Sequence, residues 1–159
     1  MSNWREVRMK YSLAYIAAIV AANWGFTAIP PWFVFGAVLP PMTFLVGAVF
    51  VLRDFAQREV GHWVLVPMII GVGLSFIMAD PFVAMASAVA FAISEGVDWI
   101  VYTRTDRPLR DRILISSSIS VPVDSAAFLL LAGFFSWIGF TVMVVAKMVA
   151  ALIVWRAAK

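Results

Sequence analysis

The residues best suited to chemistry in this sequence are charged side chains that lie inside long apolar stretches. Glu95 and Asp98 are three positions apart, so they share one face of a helix. Arg53 and Asp54 are adjacent in another apolar stretch. An ionisable group at membrane depth costs roughly 2.5–3.5 kcal/mol on insertion scales, so it normally faces protein or water and marks function. Carboxylates beside a guanidinium predict either a salt bridge that holds helices together or a polar site that receives a ligand.

A second pair of opposite charges lies nearer the end of the chain. Asp124 and Lys147 are separated by an uncharged turn around Ser136, at about the same distance from it. Short connections make neighbouring helices antiparallel, so the two side chains are expected at the same depth. We predict that they form a buried ion pair. The alternatives are that Lys147 pairs with Glu95, or that Asp124 bonds nearby serines and Asn23.

Several kinds of chemistry are excluded by composition. The chain has no cysteine and a single histidine, His62, so it offers no thiolate and no multi-histidine metal site. It has no Walker-type phosphate loop. An intramembrane enzyme that used Glu95 and Asp98 as acid and base would lack both a thiol nucleophile and a metal. We therefore predict that the chain is not an enzyme and binds no metal or cofactor.

The elements that position these groups are predicted to be membrane helices. Of the 159 residues, 64% are hydrophobic and 13% charged, whereas soluble domains are nearer one half apolar and one quarter charged. Short segments of polar and proline residues divide the chain into six apolar stretches. The length of each is near the roughly 20 residues that a helix needs to cross a bilayer. We predict an all-α membrane protein, one domain over 1–159, with six transmembrane helices at Tyr11–Ile29, Pro40–Arg58, Trp63–Ala79, Pro81–Tyr102, Ile113–Ala132 and Phe134–Trp155.

The distribution of basic residues predicts the orientation of these helices. Eleven of the twelve lie at the two termini and in the second and fourth connections. The first, third and fifth connections have none. This alternation places both termini in the cytoplasm, and it explains the net charge of +3 without a nucleic-acid partner. The eleven residues are Arg5, Arg8, Lys10, Arg53, Arg58, Arg104, Arg107, Arg110, Arg112, Arg156 and Lys159.

Other polar and small residues have packing interpretations. Asn23 is near mid-membrane and needs a hydrogen-bond partner. A stripe of Ala14, Ala18 and Ala22 suits close helix packing. The outer connection Ile29–Pro41 is rich in proline and aromatic residues, so we expect a flat or re-entrant segment at headgroup level. Serines can re-satisfy backbone groups freed by Pro122, and four precede it: Ser116, Ser117, Ser118 and Ser120.

The polar residues also come in an order that resembles a known family. The segment Arg53–Gly61 resembles the first signature of the queuosine precursor transporter family, also called the vitamin uptake transporter family. Ser94–Asp98 followed by Tyr102 resembles its second signature, and Val121–Ser125 followed by Phe128 its third. Ala21-Ala22-Asn23 in the first helix also fits, so the resemblance spans nearly the whole chain.

The resemblance implies an inner-membrane protein of six helices that takes up 7-deazaguanine bases, above all 7-cyano-7-deazaguanine, without an ATPase of its own. Such a base offers two parallel N–H donors, which a carboxylate accepts. Amides can serve its other edge, and Trp24, Phe91, Trp99 or Tyr102 could stack on it. The predicted substrate-binding residues are Glu95, Asp98, Asn23, Asp54, Gln57, Asp124 and Tyr102, with Arg53 and Lys147 in buried ion pairs.

One alternative keeps the binding function but changes the mechanism. The chain could be the substrate-binding subunit of an energy-coupling-factor vitamin transporter, which needs a separate ATPase module. Such subunits also use six helices and small-residue stripes, such as Ala14, Ala18 and Ala22. The sequence leaves open the oligomeric state, which includes a homo-oligomer. It also leaves open whether the base equilibrates or is coupled to protons through Glu95, Asp98 or Asp124.

Overall fold

The computed structural model describes residues 9–78, 80–133 and 135–157, without the side chain of Val83. In these ranges the chain is mainly helical, with one short hairpin. Predicted helix ends at Ala79 and Phe134 lie outside the described residues, as do Arg5, Arg8 and Lys159. The elements are α1 (Lys10–Ala28), β1 (Trp32–Val34), β2 (Ala37–Leu39), α2 (Thr43–Val60), α3 (Leu65–Met78), α4 (Pro81–Arg104), α5 (Leu109–Leu131) and α6 (Trp137–Ala157).

Five segments in the described ranges are long and apolar enough to cross a membrane, judged by length and composition. One of them, Thr43–Met78, has 36 residues because α2, a 3₁₀ turn at Gly61–Val64 and α3 follow without a break. Large apolar side chains such as Ile77 and Ile153 are exposed on the outside of the helices, where lipid would cover them. The chain is therefore a multi-pass membrane protein.

α1 and α2 lie antiparallel, and contacts at both ends establish this. Near the end of α2, the carboxylate of Glu59 accepts hydrogen bonds from the backbone N–H groups of Tyr11 and Ser12, each 3.1 Å. At the other end, Gly25 packs against the side chain of Met42 so closely that a Cβ at residue 25 would overlap it. Glu59 thus satisfies two of the backbone donors that an isolated helix start leaves free.

The chain then reverses direction within the 36-residue segment. Gly61 has a φ of 62°, a conformation that glycine adopts without a steric penalty, and it begins the 3₁₀ turn. Val64 packs in the same apolar cluster as Tyr15 of α1. Further along α3, the backbone at Gly71 passes beside Ile19 of α1. α3 therefore runs parallel to α1 and antiparallel to α2.

The helices form a ring around a polar interior. α1 packs between α2 and α3, α2 packs against α6, α6 against α5, and α5 against α4. α4 also contacts α1 and α3, and this closes the ring. Apolar side chains surround the interior in several clusters, while the charged groups predicted at membrane depth are buried within it. The ring thus supplies the walls of a site between helices.

The connection between α1 and α2 is a β-hairpin and not the flat or re-entrant segment predicted from its sequence. β1 pairs antiparallel with β2, and Phe35 and Gly36 at the turn have φ values of 51° and 78°. Two successive positive φ values are typical of the tight turns that match strand twist. Ala37 and Leu39 of β2 are buried, whereas Trp32, Phe33 and Phe35 are exposed.

Prolines explain two helix boundaries that differ from the prediction. α2 begins at Thr43 and not at Pro40, because Pro40 and Pro41 lie in a turn whose carbonyls accept hydrogen bonds from the start of the helix. α5 begins at Leu109 and not at Ile113, because Pro108 precedes the first helical residue and its carbonyl starts the helical bonding. Both changes leave the buried charged residues on the predicted helices.

Candidate functional site

Arg53 of α2 is the centre of a buried charged cluster. Its Nη1 lies 2.6 Å from Asp54 Oδ1 and 2.8 Å from Asp98 Oδ2, and its Nε lies 3.1 Å from Glu95 Oε2. All four side chains are at most 2% exposed. Glu95 and Asp98 face Arg53 together because they are one turn apart on α4. We call these four residues the Arg53 cluster.

Each acid of the Arg53 cluster also lies within reach of a hydroxyl group from another helix. Tyr15 of α1 donates to Glu95 over 3.0 Å. On α5, Ser120 Oγ lies 3.1 Å from Asp98 Oδ1, and Ser116 Oγ lies 3.3 Å from Asp54 Oδ2. The two serine hydroxyls also lie within bonding distance of carbonyls of their own helix. Since a hydroxyl has one proton, each serine donates either to its acid or to its helix at a given time.

The charge in the Arg53 cluster does not balance. Three carboxylates surround one guanidinium, so full ionisation would leave a net charge of −2 in a buried volume. Arg53 Nη2 and Glu95 Oε1 have no hydrogen-bond partner among the described residues. Asp98 Oδ2 lies within ion-pair distance of Arg53 at an angle too poor for a hydrogen bond. Unused donors and acceptors in a buried site are costly, so the cluster has unfilled capacity for a proton or a polar ligand.

Asp124 and Lys147 form the ion pair predicted from the sequence. Lys147 Nζ lies 2.5 Å from Asp124 Oδ2, and both residues are buried. Ser94 of α4 lies 3.1 Å from the other carboxylate oxygen, Oδ1. Gly47 of α2 lets the backbone of α6 approach at Lys147, because a Cβ there would lie 2.8 Å from Lys147 Cα. This pair has one charge of each sign and is neutral.

A small cavity lies between the ion pair and a set of aromatic rings. Its volume is about 20 Å³, enough for about one water. Asn23 lines it, and the Oδ1 atom of Asn23 has no partner among the described residues, while Nδ2 donates to the carbonyl of Ile19. Drug-sized ligands occupy pockets of ~300–1,000 Å³, so the cavity is closed to them in this structure. The lining includes Asn23, Phe26, Ser87, Phe91, Asp124, Phe128 and Lys147.

The Arg53 cluster and the cavity are neighbours along α4. Phe91, which lines the cavity, is one turn before Glu95 on that helix. Ser94, which lies next to Glu95 in the sequence, contacts Asp124. Of the four aromatic residues considered from the sequence, Phe91 borders this region, whereas Trp24 is exposed and Trp99 donates to His62.

Two of the predicted site residues lie on the side of the cluster that faces the α4–α5 connection. Tyr102 has the Arg53 guanidinium 5.7 Å from its ring centroid and that of Arg112 at 5.5 Å. Gln57 donates to Thr103 Oγ1 over 3.1 Å, and its Oε1 has no partner among the described residues. Neither residue lines the cavity. The structure therefore does not bring all seven predicted binding residues to one point.

Arg53 forms the buried ion pairs predicted for it. It does not belong to the second connection, where the charge alternation places it, because it is buried inside α2, seven residues before the helix ends. The sequence predicts the serines before Pro122 as partners for freed backbone groups, but the hydroxyls of Ser116 and Ser120 also reach carboxylates. Tyr15 was not singled out at all. The sequence nevertheless points to Tyr15, because the hydroxyl of a tyrosine at membrane depth needs a buried hydrogen-bond partner.

Within the described ranges, no group of three or more His, Cys, Asp or Glu side chains is placed to hold a metal ion. No family model, no curated protein and no solved structure matches this chain.

Proposed function

We propose that this chain is an inner-membrane transporter for the uptake of a 7-deazaguanine base such as 7-cyano-7-deazaguanine. The observation that supports it best is the buried Arg53 cluster, which has more acid than base and unused hydrogen-bonding atoms. Buried charges that only hold helices together are expected in balanced pairs, because each unpaired charge adds a cost. An excess of acceptors instead suits a ligand that arrives with donors.

The chemistry of the cluster fits the edge of a guanine-like base. Such an edge presents a ring N–H beside an amino group, and a carboxylate accepts both in parallel. Glu95 is the best candidate, because one of its oxygens has no partner among the described residues. Phe91, one turn away, supplies an aromatic face, and the free Oδ1 of Asn23 supplies another acceptor. The motif resemblance supports the same class of substrate.

Binding of a base requires a second arrangement of the helices. The cavity beside Asn23 holds about one water, so this structure corresponds to an occluded state without room for the substrate. In the proposed cycle the helix ring opens outward to admit the base beside Phe91. It then opens inward past Gln57 and Tyr102. The site stays near the membrane centre while access alternates around it, as in other secondary transporters.

We further propose six membrane crossings with both termini in the cytoplasm. The 18 residues of the 3₁₀ turn and α3 extend about 29 Å, which approaches the thickness of the hydrocarbon core. The reversal at Gly61 separates this crossing from α2. The described basic residues of the α4–α5 connection all lie at one end of the bundle. Reporter fusions at the C-terminus and between α3 and α4 should report opposite sides. Signals from the same side would contradict the topology.

Uptake into liposomes tests the function. Purified protein in liposomes without ATP is expected to accumulate labelled base to equilibrium faster than protein-free liposomes. Excess unlabelled 7-cyano-7-deazaguanine should compete, whereas a water-soluble vitamin of similar size should not. Failure of uptake together with tight binding would instead favour the energy-coupling-factor subunit. In this structure Ala18 and Ala22 are buried within the chain while Ala14 is exposed, so the three do not form one surface for a partner.

A further inference from the structure

Arginines gather around two adjoining pockets at the end of the bundle where α4 connects to α5. The first pocket, which we call the arginine pocket, has a volume of about 260 Å³. The second, the apolar groove, has a volume of about 610 Å³. The two share Arg58 and Leu109 in their walls. The arginine pocket is also lined by Tyr102, Arg107 and Arg112.

The local charge favours an anion. Arg58 and Arg107 have no ion-pair partner within 4.0 Å among the described residues. Within the described ranges, the one ion-pair contact of Arg112 is a long one of 3.8 Å with Asp106, which is fully exposed. The Nε of Arg112 donates to the carbonyl of Arg107 over 2.8 Å and so holds the connection in shape. Guanidinium groups arranged in this way suit the oxygens of a phosphate, which they bind through paired N–H donors.

The apolar groove indicates what the phosphate is attached to. Phe55, Ile113 and Val154 line it, with Arg58 and Arg110 at its edge. Its walls come from α2, α5 and α6 close to Arg58 and Pro108, so it lies at the same end of the bundle as the arginine pocket. A free phosphate has no apolar part to place there, whereas a phospholipid has an acyl chain long enough to lie along such a surface. Basic pockets between membrane helices on the cytoplasmic side commonly bind anionic headgroups.

We propose that this end of the molecule binds an anionic phospholipid of the cytoplasmic leaflet. Its headgroup phosphate lies between Arg58, Arg107 and Arg112, and one acyl chain lies in the apolar groove. The lipid would then connect the end of α2 to the start of α5, beside Tyr102. This inference does not depend on which substrate is transported.

Native mass spectrometry of the purified protein tests the proposal. With equal amounts of phosphatidylglycerol and phosphatidylcholine, we expect preferential retention of phosphatidylglycerol. Arg58→Gln and Arg107→Gln should each lower its affinity about fivefold, which corresponds to ~1 kcal/mol per arginine. Arg104→Gln is the matched control, because Arg104 is exposed at the end of α4 and lines neither pocket. Both test residues are exposed, so the variants should fold.

The remaining outcomes distinguish the sources of the phosphate. Equal retention of both lipids by the wild-type protein would overturn the proposal. An equal loss in Arg104→Gln would also overturn it, because the effect would then come from net charge alone. Inorganic phosphate at the same concentration should not displace phosphatidylglycerol. If it does, the site binds free anions and the apolar groove plays no part.

Discussion

The Arg53 cluster and the Asp124–Lys147 pair are two buried ionic groups in one helix ring, and they differ in balance. The pair has one charge of each sign, a short contact and a serine that supports it. The cluster has three acids around one arginine and atoms without partners. Both cost desolvation, but only in the pair does every charged side-chain atom have a partner among the described residues. The difference separates a group suited to holding helices from one suited to exchanging a ligand or proton.

The largest effect is expected from removing the single cation of the cluster. Arg53→Gln leaves three acids facing one another, so we expect it to destabilise the protein by more than the ~3–5 kcal/mol typical of a broken buried pair. Protonation of the acids relieves the repulsion, so the loss should shrink as pH falls. Unfolding in mixed detergent micelles at several pH values measures the loss of stability and its dependence on pH. A loss that is independent of pH would show that the acids do not repel in the folded state.

Removing either charge of the pair should lower the stability of the protein by a similar amount. Asp124→Asn and Lys147→Met each leave an uncompensated buried charge and should cost about 3–5 kcal/mol of unfolding free energy. The double variant should cost much less than the sum of the two. The same micelle titration applied to all three variants gives the coupling energy. Additive losses would contradict the pair, and recovery of stability without recovery of uptake would show that the pair also serves transport.

Removing one acid from the cluster should affect binding more than stability. Glu95→Gln keeps the size of the side chain and relieves part of the charge excess. We expect weaker binding of 7-cyano-7-deazaguanine by roughly 1.5–3 kcal/mol, with little change in the unfolding free energy. Asp98→Asn is the second variant. Titration calorimetry measures the affinity of each variant for the base.

Glu59→Gln is the matched control for these acid variants. Glu59 caps α1 outside the cluster, and the amide oxygen of glutamine can still accept from Tyr11 and Ser12. It should bind the base like the wild type. If Glu95→Gln and Asp98→Asn also bind like the wild type, the proposed site is wrong.

The smallest effect is expected at a serine. Ser120→Ala removes one hydroxyl near Asp98, which keeps its contact with Arg53. The loss should be near the lower end of the ~0.5–1.5 kcal/mol of an ordinary hydrogen bond, because the hydroxyl divides its bonding between the acid and its own helix. Ser94→Ala is the comparison in the neutral pair. A loss above 3 kcal/mol at Ser120 would assign the serine a larger role in holding the cluster.

The sequence predicts the helices well and the site only in part. The long apolar stretches, and the polar, basic and proline residues between them, locate each α-helix of the described ranges to within a few residues. The hairpin escapes prediction, because strands of three residues such as Trp32–Val34 are too short for an alternating pattern. Its turn at Phe35-Gly36 offers one glycine and no other turn residue.

Depth along a helix can be counted from a sequence, but the direction of a side chain around the helix axis depends on packing. The depth of Asp124 and Lys147 is sufficient to predict their pairing, since Asp124 is the one acid at matching depth on the helix next to Lys147. The depth of Asn23 and Tyr102 was not sufficient to place both at one site. Residues that act through a hydroxyl, such as Tyr15 and Ser120, are hidden among many similar residues whose hydroxyls bond to their own helix.

The close contact at Gly47 has a mechanical consequence. The backbones of α2 and α6 approach closely there beside Lys147, so the two helices cannot come nearer at that level, and we expect α2 to tilt about this contact. A tilt of about 10° would move Arg53, roughly 9 Å along the helix, by about 1.6 Å and Gln57, roughly 15 Å along, by about 2.6 Å. A displacement of that size away from α4 would break the contacts of 2.8 and 3.1 Å between Arg53 and the acids of α4, while Lys147, beside the contact point, would stay next to Asp124.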